Sequence, residues 1–145
     1  MNINMKILLQ IFSIICAFAV IVSDTHDPKF VETFKPKHLQ AGDGTRFPPA
    51  GAMVKVHYTG TFPDTGKKFD SSLDRNRHFD FTLKRGSVIK CWDEVVSQMS
   101  IGEKIYVICP SSLAYGERGA GGVIPPNTDI AFEIELFDFK ASGDL

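Results

Sequence analysis

A short amphipathic stretch, residues 88–99, constrains the fold of this chain more than any other sequence feature. Its apolar residues recur at positions i, i+3, i+4 and i+7: Trp92, Val95, Val96 and Met99. This spacing predicts one face of a helix of about three turns. Asp93 and Glu94 suit the positive end of a helix dipole, and Gly102 is suited to a left-handed residue at the helix end. The pattern therefore predicts a single helix that covers one face of a sheet.

Alternating apolar residues predict strands on both sides of this helix. The strand candidates are residues 53–58, 67–70, 77–83, 104–109 and 129–138. Their predicted inward-facing residues are Val54, Val56, Tyr58, Phe79, Phe81, Leu83, Ile130, Phe132, Ile134 and Leu136. Several strands, one helix and two further strands predict an α+β domain, in which an antiparallel sheet packs on a single helix.

The N-terminal residues predict a separate targeting segment. Lys6 precedes a mostly apolar run, residues 7–22, and Ser23 follows before a polar stretch. This order is typical of a secretory signal peptide that is cleaved near Ser23, and an uncleaved membrane anchor is the alternative. We therefore divide the chain into a signal peptide (1–23), a polar leader (24–39), a folded domain (40–140) and a short tail (141–145).

The cysteines leave two alternatives open. Removal of a signal peptide would take away Cys16, and the mature chain would keep Cys91 and Cys109. In an oxidising compartment these two thiols could pair as a disulfide. The other interpretation is a pair of small buried apolar side chains.

Several kinds of chemistry lack their usual sequence signals. The net charge is −1 and no basic stripe occurs, so we expect no nucleic-acid partner. The four histidines are scattered without ligand spacing, so we expect no metal site. The glycine-rich residues 116–122 are not followed by Lys-Ser or Lys-Thr, as a phosphate loop would require. What remains is an aromatic site with few polar groups, which suits binding of a small apolar segment.

Five short motifs, in the same order and spacing, resemble those of the FKBP-type peptidyl-prolyl isomerases, the immunophilins that bind tacrolimus and rapamycin. They are Val56–Gly60, Gly66–Ser72, Val88–Ile89 with Trp92, Ala114–Gly116 and Ile124–Pro126. The resemblance covers nearly all of the predicted mature chain. It implies a curved antiparallel sheet wrapped around the short helix, with a pocket between them. It also implies catalysis of X-Pro bond rotation without a cofactor.

The resemblance also assigns residues to this pocket by position. The implied catalytic set is Tyr58, Asp70, Trp92, Tyr115 and Phe132. The implied substrate- or inhibitor-binding set adds Phe69, Arg75, Phe79, Val88, Ile89, Val123 and Ile124. In the family's ligand complexes, residues at the positions of Asp70, Ile89 and Tyr115 bond the ligand through a carboxylate, a main-chain N–H and a hydroxyl.

The chain departs from the family pattern at three notable positions. Cys91 stands where glycine is usual, Leu113 where an aromatic residue is frequent, and Ala120 where a larger residue often occurs. None of these changes removes an implied pocket wall.

We therefore expect a monomeric isomerase that acts on proline-containing polypeptides and binds macrolides such as tacrolimus and rapamycin. The predicted signal peptide places it in the secretory pathway, in the endoplasmic reticulum lumen or secreted. The alternative function is a non-catalytic module that binds proline peptides or macrolides.

Overall fold

The computed structural model describes residues 35–143. The elements in chain order are β1 (Lys37–Gln40), β2 (Met53–Thr61), β3 (Lys68–Ser71), β4 (Phe79–Thr82), α1 (Lys90–Val96), β5 (Lys104–Cys109) and β6 (Ile130–Lys140). Three single 3-10 turns lie at Leu73–Arg75, Ser111–Leu113 and Gly116–Arg118. The predicted signal peptide lies outside the described residues. Within them, no helix is both long and apolar enough to cross a membrane.

The six strands form one antiparallel sheet in the order β1-β5-β6-β2-β3, with β4 also paired to β2. Strand β2 pairs with β6 along its whole length. On its other side, its first half pairs with β4 and its last three residues pair with β3. The predicted α+β fold, an antiparallel sheet with a single α-helix, is confirmed for the part of the chain that the structure describes.

The hydrophobic core lies between α1 and one face of the sheet. The buried strand residues include Val54, Val56, Tyr58, Ile130, Phe132, Ile134 and Leu136, which are the alternating positions predicted for β2 and β6. The helix contributes Trp92, Val95 and Val96. Burial of each large apolar side chain contributes about 1.5–3 kcal/mol, so this interface fixes the position of the helix.

The helix is shorter than its apolar spacing predicts. It ends at Val96, and the chain continues as a turn in which Gln98 N donates to Val95 O (3.1 Å). Met99 is still buried, because the turn keeps it on the same face. Gly102 does adopt a positive φ of 83°, but it lies in the turn before β5, so its assignment to the helix end was wrong.

Strand β1 was not predicted; its first three residues belong to the segment assigned to the polar leader (24–39) and Gln40 to the predicted domain. All four of its residues are exposed, so they carry no alternating pattern. It pairs with β5, and Gln40 Nε2 donates to Gly102 O at 2.9 Å. His38 Nδ1 also lies 2.7 Å from Glu103 Oε1. The sheet therefore begins at Lys37.

A disulfide joins Cys91 to Cys109 in the structure, where the sequence left two alternatives open. Cys91 lies in the first turn of α1, and Cys109 is the last residue of β5. Their Cα atoms are 5.8 Å apart, within the usual range for such a bridge, and both side chains are fully buried. The bridge ties the helix to the sheet directly beside Trp92.

Candidate active site

A cavity of about 170 Å³ opens between α1 and the sheet. Its lining residues are Tyr58, Phe69, Asp70, Phe79, Ser87, Val88, Ile89, Trp92, Tyr115 and Phe132. They come from four strands, the helix, the segment before the helix and the loop after β5. The structure thus brings together in one cavity side chains that are up to 74 residues apart in the chain, from Tyr58 to Phe132.

The space for this cavity depends on Gly60 in β2. Gly60 is opposite Phe132 of β6 on one side and Asp70 of β3 on the other. A Cβ atom at Gly60 would lie 2.5 Å from Phe69 Cζ and 3.0 Å from Phe132 Cε1, so the two rings occupy the room that a side chain would need. The register between β2 and β3 shifts at this point, which leaves Phe69 as an extra residue. Such a bulge redirects side chains, and here both Phe69 and Asp70 reach the cavity.

Trp92 forms the floor of the cavity and is 4% exposed. Its ring centroid lies 5.0 Å from that of Tyr58, 5.1 Å from Phe132 and 6.0 Å from Phe79, with interplanar angles of 74°, 84° and 79°. These edge-to-face contacts each contribute about 0.5–1.5 kcal/mol beyond area burial. The buried Trp92 Nε1 has no hydrogen-bond acceptor among residues 35–143. The floor is therefore a rigid aromatic surface.

Asp70 is the only carboxylate among the lining residues, and two neighbours hold it. Arg75 Nη1 donates to Asp70 Oδ1 (2.5 Å), and the Tyr58 hydroxyl donates to Asp70 Oδ2. Burial raises the pKa of Asp70, but the hydrogen bonds from Tyr58 and Arg75 outweigh that effect and leave its pKa below the ordinary 3.8. Asp70 is therefore ionised at neutral pH and has a fixed orientation.

The two tyrosine hydroxyls of the cavity remain protonated at neutral pH. Burial raises the pKa of Tyr58 above 10.0, and its hydrogen bond to Asp70 adds to this effect. Burial also raises the pKa of Tyr115, with a smaller contribution from the charge of Asp70. The Tyr58 hydroxyl is engaged with Asp70 and Arg75, whereas Tyr115 is 39% exposed on the loop after β5. Tyr115 is therefore the hydroxyl at the cavity rim that is free to meet a ligand.

Three residues of the predicted binding set do not line the cavity. Arg75 lies outside the lining and supports a lining residue, because its Nη2 donates to the Tyr58 hydroxyl at 2.9 Å. Ile124 is buried in the hydrophobic core, and Val123 is 56% exposed on the loop. Conversely, Ser87 lines the cavity and was not predicted. Its one sequence signal is its position directly before Val88.

Behind Tyr58, the neighbouring His57 belongs to a separate polar cluster. His57 Nδ1 lies 2.8 Å from Ser72 Oγ, and its ring stacks on that of His78 with centroids 4.2 Å apart. Ser72 Oγ also accepts from Tyr58 N at 2.9 Å. Burial and the charge of His78 lower the pKa of His57 below 6.5, and Glu135 opposes this effect. This cluster is a support for β2 and does not enter the cavity. Across the described range, no three His, Cys, Asp or Glu side chains converge as metal ligands would.

Comparison with known proteins places this geometry in one family. The profile of the FKBP-type peptidyl-prolyl cis-trans isomerases matches residues 44–137. Peptidyl-prolyl cis-trans isomerase Fkbp12 of Drosophila melanogaster is 54% identical over 98 residues, which cover 68% of this chain and 90% of the fly protein. FK506-binding protein 2B of Rhizopus delemar is 43% identical over 134 residues, which cover 89% of this chain and 64% of that protein. FK506-binding protein 1A of Emericella nidulans is 51% identical over 100 residues, which cover 69% and 92%.

The matched region contains every strand from β2 to β5, the helix, the loop after β5 and most of β6, and hence all ten lining residues of the cavity. The chain belongs to the FKBP-type peptidyl-prolyl cis-trans isomerases and is an enzyme of that class.

Proposed function

We propose that the cavity binds the proline ring of a polypeptide and catalyses X-Pro rotation by removing water from the amide. The observation that supports this most directly is the composition of the cavity. Six of its ten lining residues have aromatic side chains: Tyr58, Phe69, Phe79, Trp92, Tyr115 and Phe132. Its single carboxylate is already paired with Arg75 and Tyr58.

The physics of the amide explains why such an environment accelerates rotation. Resonance opposes rotation by about 18–20 kcal/mol and places negative charge on the carbonyl oxygen. Water stabilises this charged planar form, whereas the twisted amide carries less charge on oxygen. A pocket that excludes water and binds the twisted form more tightly than either planar form lowers the barrier. No covalent bond to the protein is formed in this mechanism.

Three groups at the cavity are suited to orient the substrate chain. The Ile89 main-chain N–H donates to no other backbone or side-chain group within residues 35–143, which leaves it free for a substrate carbonyl. The Tyr115 hydroxyl is available at the rim as a second donor, and Asp70 is available as an acceptor. Held donors and acceptors of this kind reduce the entropic cost of reaching the twisted state.

The test is catalysis of cis/trans isomerisation of Leu-Pro and Phe-Pro tetrapeptides, with Phe132→Tyr as the diagnostic variant. Phe132 is 4% exposed and faces Trp92, so a new hydroxyl would bring a polar group into the water-free space. We expect kcat/KM to fall by about tenfold, with a much smaller change in unfolding free energy. Phe137→Tyr is the matched control, because Phe137 lies on the same strand but is 39% exposed and outside the cavity. Equal kcat/KM values for Phe132→Tyr and the parent would refute the role of Phe132.

We also propose that the same cavity binds macrolides such as tacrolimus and rapamycin. Two of the similar proteins are named FK506-binding proteins, and Trp92 is the chain's single tryptophan. Its fluorescence therefore reports binding at the floor without a label. Catalysis that rapamycin abolishes would support both activities at one site. Saturable fluorescence change without catalysis would favour the alternative, a non-catalytic binding module.

The proposed location is the secretory pathway. The support is the N-terminal sequence, with Lys6 before an apolar run and Ser23 before a polar stretch, and the disulfide between Cys91 and Cys109. Disulfides persist in oxidising compartments. N-terminal sequencing of the protein made in a eukaryotic cell is the test. A start near Asp24 would support cleavage, whereas an intact Met1 in a carbonate-resistant membrane fraction would favour the anchor.

A further inference from the structure

The segment between β4 and α1, residues 83–89, forms one wall of the cavity. Three consecutive residues of this wall segment, Ser87, Val88 and Ile89, line the cavity. The segment also carries the Ile89 N–H to which the proposed function gives an orienting role. Its position relative to Trp92 therefore determines the width of the cavity.

The two ends of the wall segment are held by backbone hydrogen bonds. Leu83 N donates to Ala52 O, and Leu83 O accepts from Gly51 N, both at 2.9 Å. At the other end, Ile89 O accepts from Trp92 N at 3.0 Å in the first turn of α1. Within residues 35–143, the main chain of residues 84–88 has no backbone–backbone hydrogen bond.

One side chain restrains the wall segment just after its first residue. Lys84 N donates to Oδ1 of Asp93 at 2.7 Å, and Asp93 is 8% exposed. Hydrogen bonds to a carboxylate are among the stronger ones in proteins. Lys84 also has a positive φ of 57°, which residues other than glycine rarely adopt, so it needs an external restraint. The Lys84 side chain adds a second link, with Nζ 2.7 Å from Oε1 of Glu94.

We propose that Asp93 is a positioning residue of the isomerase: it holds the turn at Lys84 and thereby sets the place of Val88 and Ile89 at the cavity. Asp93 does not line the cavity itself. It follows Trp92 directly in the helix, so the residue that forms the floor and the residue that holds the wall share one rigid element. This proposal rests on the proposed function, because it assumes that the wall contacts the substrate.

The experiment compares Asp93→Ala, Asp93→Asn and Glu94→Ala in the full chain. Asp93→Ala removes the acceptor, and we expect kcat/KM to fall by about tenfold, mainly through a higher KM, with a lower NMR order parameter for the Ile89 amide. Asp93→Asn keeps a neutral side-chain carbonyl in place, which is a weaker acceptor than a carboxylate, so it should restore most of the activity and only part of the order at Ile89. Glu94→Ala removes only the ion pair with Lys84, whose two side chains are 32% and 34% exposed, and should change kcat/KM by less than about twofold.

All rates are measured well below each variant's unfolding temperature. Under these conditions a purely structural role of Asp93 would leave kcat/KM and the order parameter of the Ile89 amide unchanged. That result in Asp93→Ala would overturn the proposal. If Asp93→Ala does not fold, the decision rests on Asp93→Asn. Its neutral carbonyl is a weaker acceptor than the carboxylate, so the order parameter of the Ile89 amide should be lower than in the parent, and an unchanged order parameter would overturn the proposal. A parent chain without isomerase activity would refute the proposed function alone, since the Ile89 amide still tests the positioning role.

Discussion

Removal of the Cys91–Cys109 disulfide should lower the stability of the domain substantially. The bridge spans 18 residues and connects α1 to the end of β5. In the chain-entropy description, a closed loop of this length reduces the entropy of the unfolded chain enough to contribute about 3 kcal/mol. For a domain of this size that corresponds to a fall of roughly 10–20 °C in Tm.

The assay is thermal and guanidinium unfolding of the oxidised parent and of the double variant Cys91→Ala/Cys109→Ala. Alanine is suitable at both positions because the side chains are fully buried among apolar residues. The parent treated with a strong reductant provides a second comparison without any substitution. Burial of both sulfurs also predicts that the native bridge is reduced only as fast as the domain opens.

Two outcomes would refute this reasoning. A double variant whose Tm lies within about 2 °C of the oxidised parent would show that the bridge adds nothing to stability. Rapid reduction under conditions where unfolding is slow would contradict the burial of the sulfurs. We expect kcat/KM of the folded double variant to change little, because neither cysteine lines the cavity.

Three further predictions concern Gly60, His57 and Asp70. Gly60→Ala should lower kcat/KM by about tenfold and destabilise the domain by roughly 1–3 kcal/mol, because its Cβ would meet the Phe69 ring at 2.5 Å. The unfolding free energy should fall as the pH drops below 6.5, because the unfolded chain protonates His57 more readily than the native chain does. Titration of Asp70 should not change kcat/KM between about pH 5 and 8, because its carboxylate stays ionised there. Its protonation should lower kcat/KM only below the ordinary carboxyl pKa of 3.8.

Each of these predictions has its own control. Gly44→Ala provides a comparison for Gly60→Ala, because its Cβ would meet no atom within 4 Å, although its positive φ adds some strain. His57→Gln should flatten the pH dependence of stability, and an unchanged slope would assign the titration to another group. Arg75→Met removes a donor to Asp70 and should move the acid limb of kcat/KM upward in pH. If the acid limb of kcat/KM does not move in this variant, its assignment to Asp70 is contradicted.

Much of the fold could be predicted because burial alternates along the longer strands. Val54, Val56 and Tyr58 face the core in β2, and Phe132, Ile134 and Leu136 continue the same period of two in β6. Strand β1 could not be found this way, since all its residues are exposed and only its partner β5 defines it. The helix length was also overestimated, because Met99 keeps its buried position in a turn as well as it would in a helix.

In the cavity too, some residues could be predicted from sequence motifs, whereas others depend on the path of the chain in three dimensions. The aromatic lining was predictable through family motifs, whereas Ser87 carries no chemical signal and enters the cavity only because of the chain path before α1. The placement of Ile124 in the core depends on how the loop after β5 folds back, with Ala120 N donating to Ile124 O at 2.9 Å. A loop path of this kind leaves no periodic trace in the sequence.

Strand β1 also affects the tendency of the molecule to associate with other copies of itself. An unpaired strand presents a row of free N–H and C=O groups that can recruit another chain. Strand β5 is rich in β-branched residues, Ile105, Val107 and Ile108, and β1 pairs with its first half, from Lys104 to Tyr106. The edge that faces solvent is instead β1 itself, which is only four residues long and carries Lys37. A short charged border is a poor template for addition of further strands, so β1 lowers the tendency of this end of the sheet to recruit another chain.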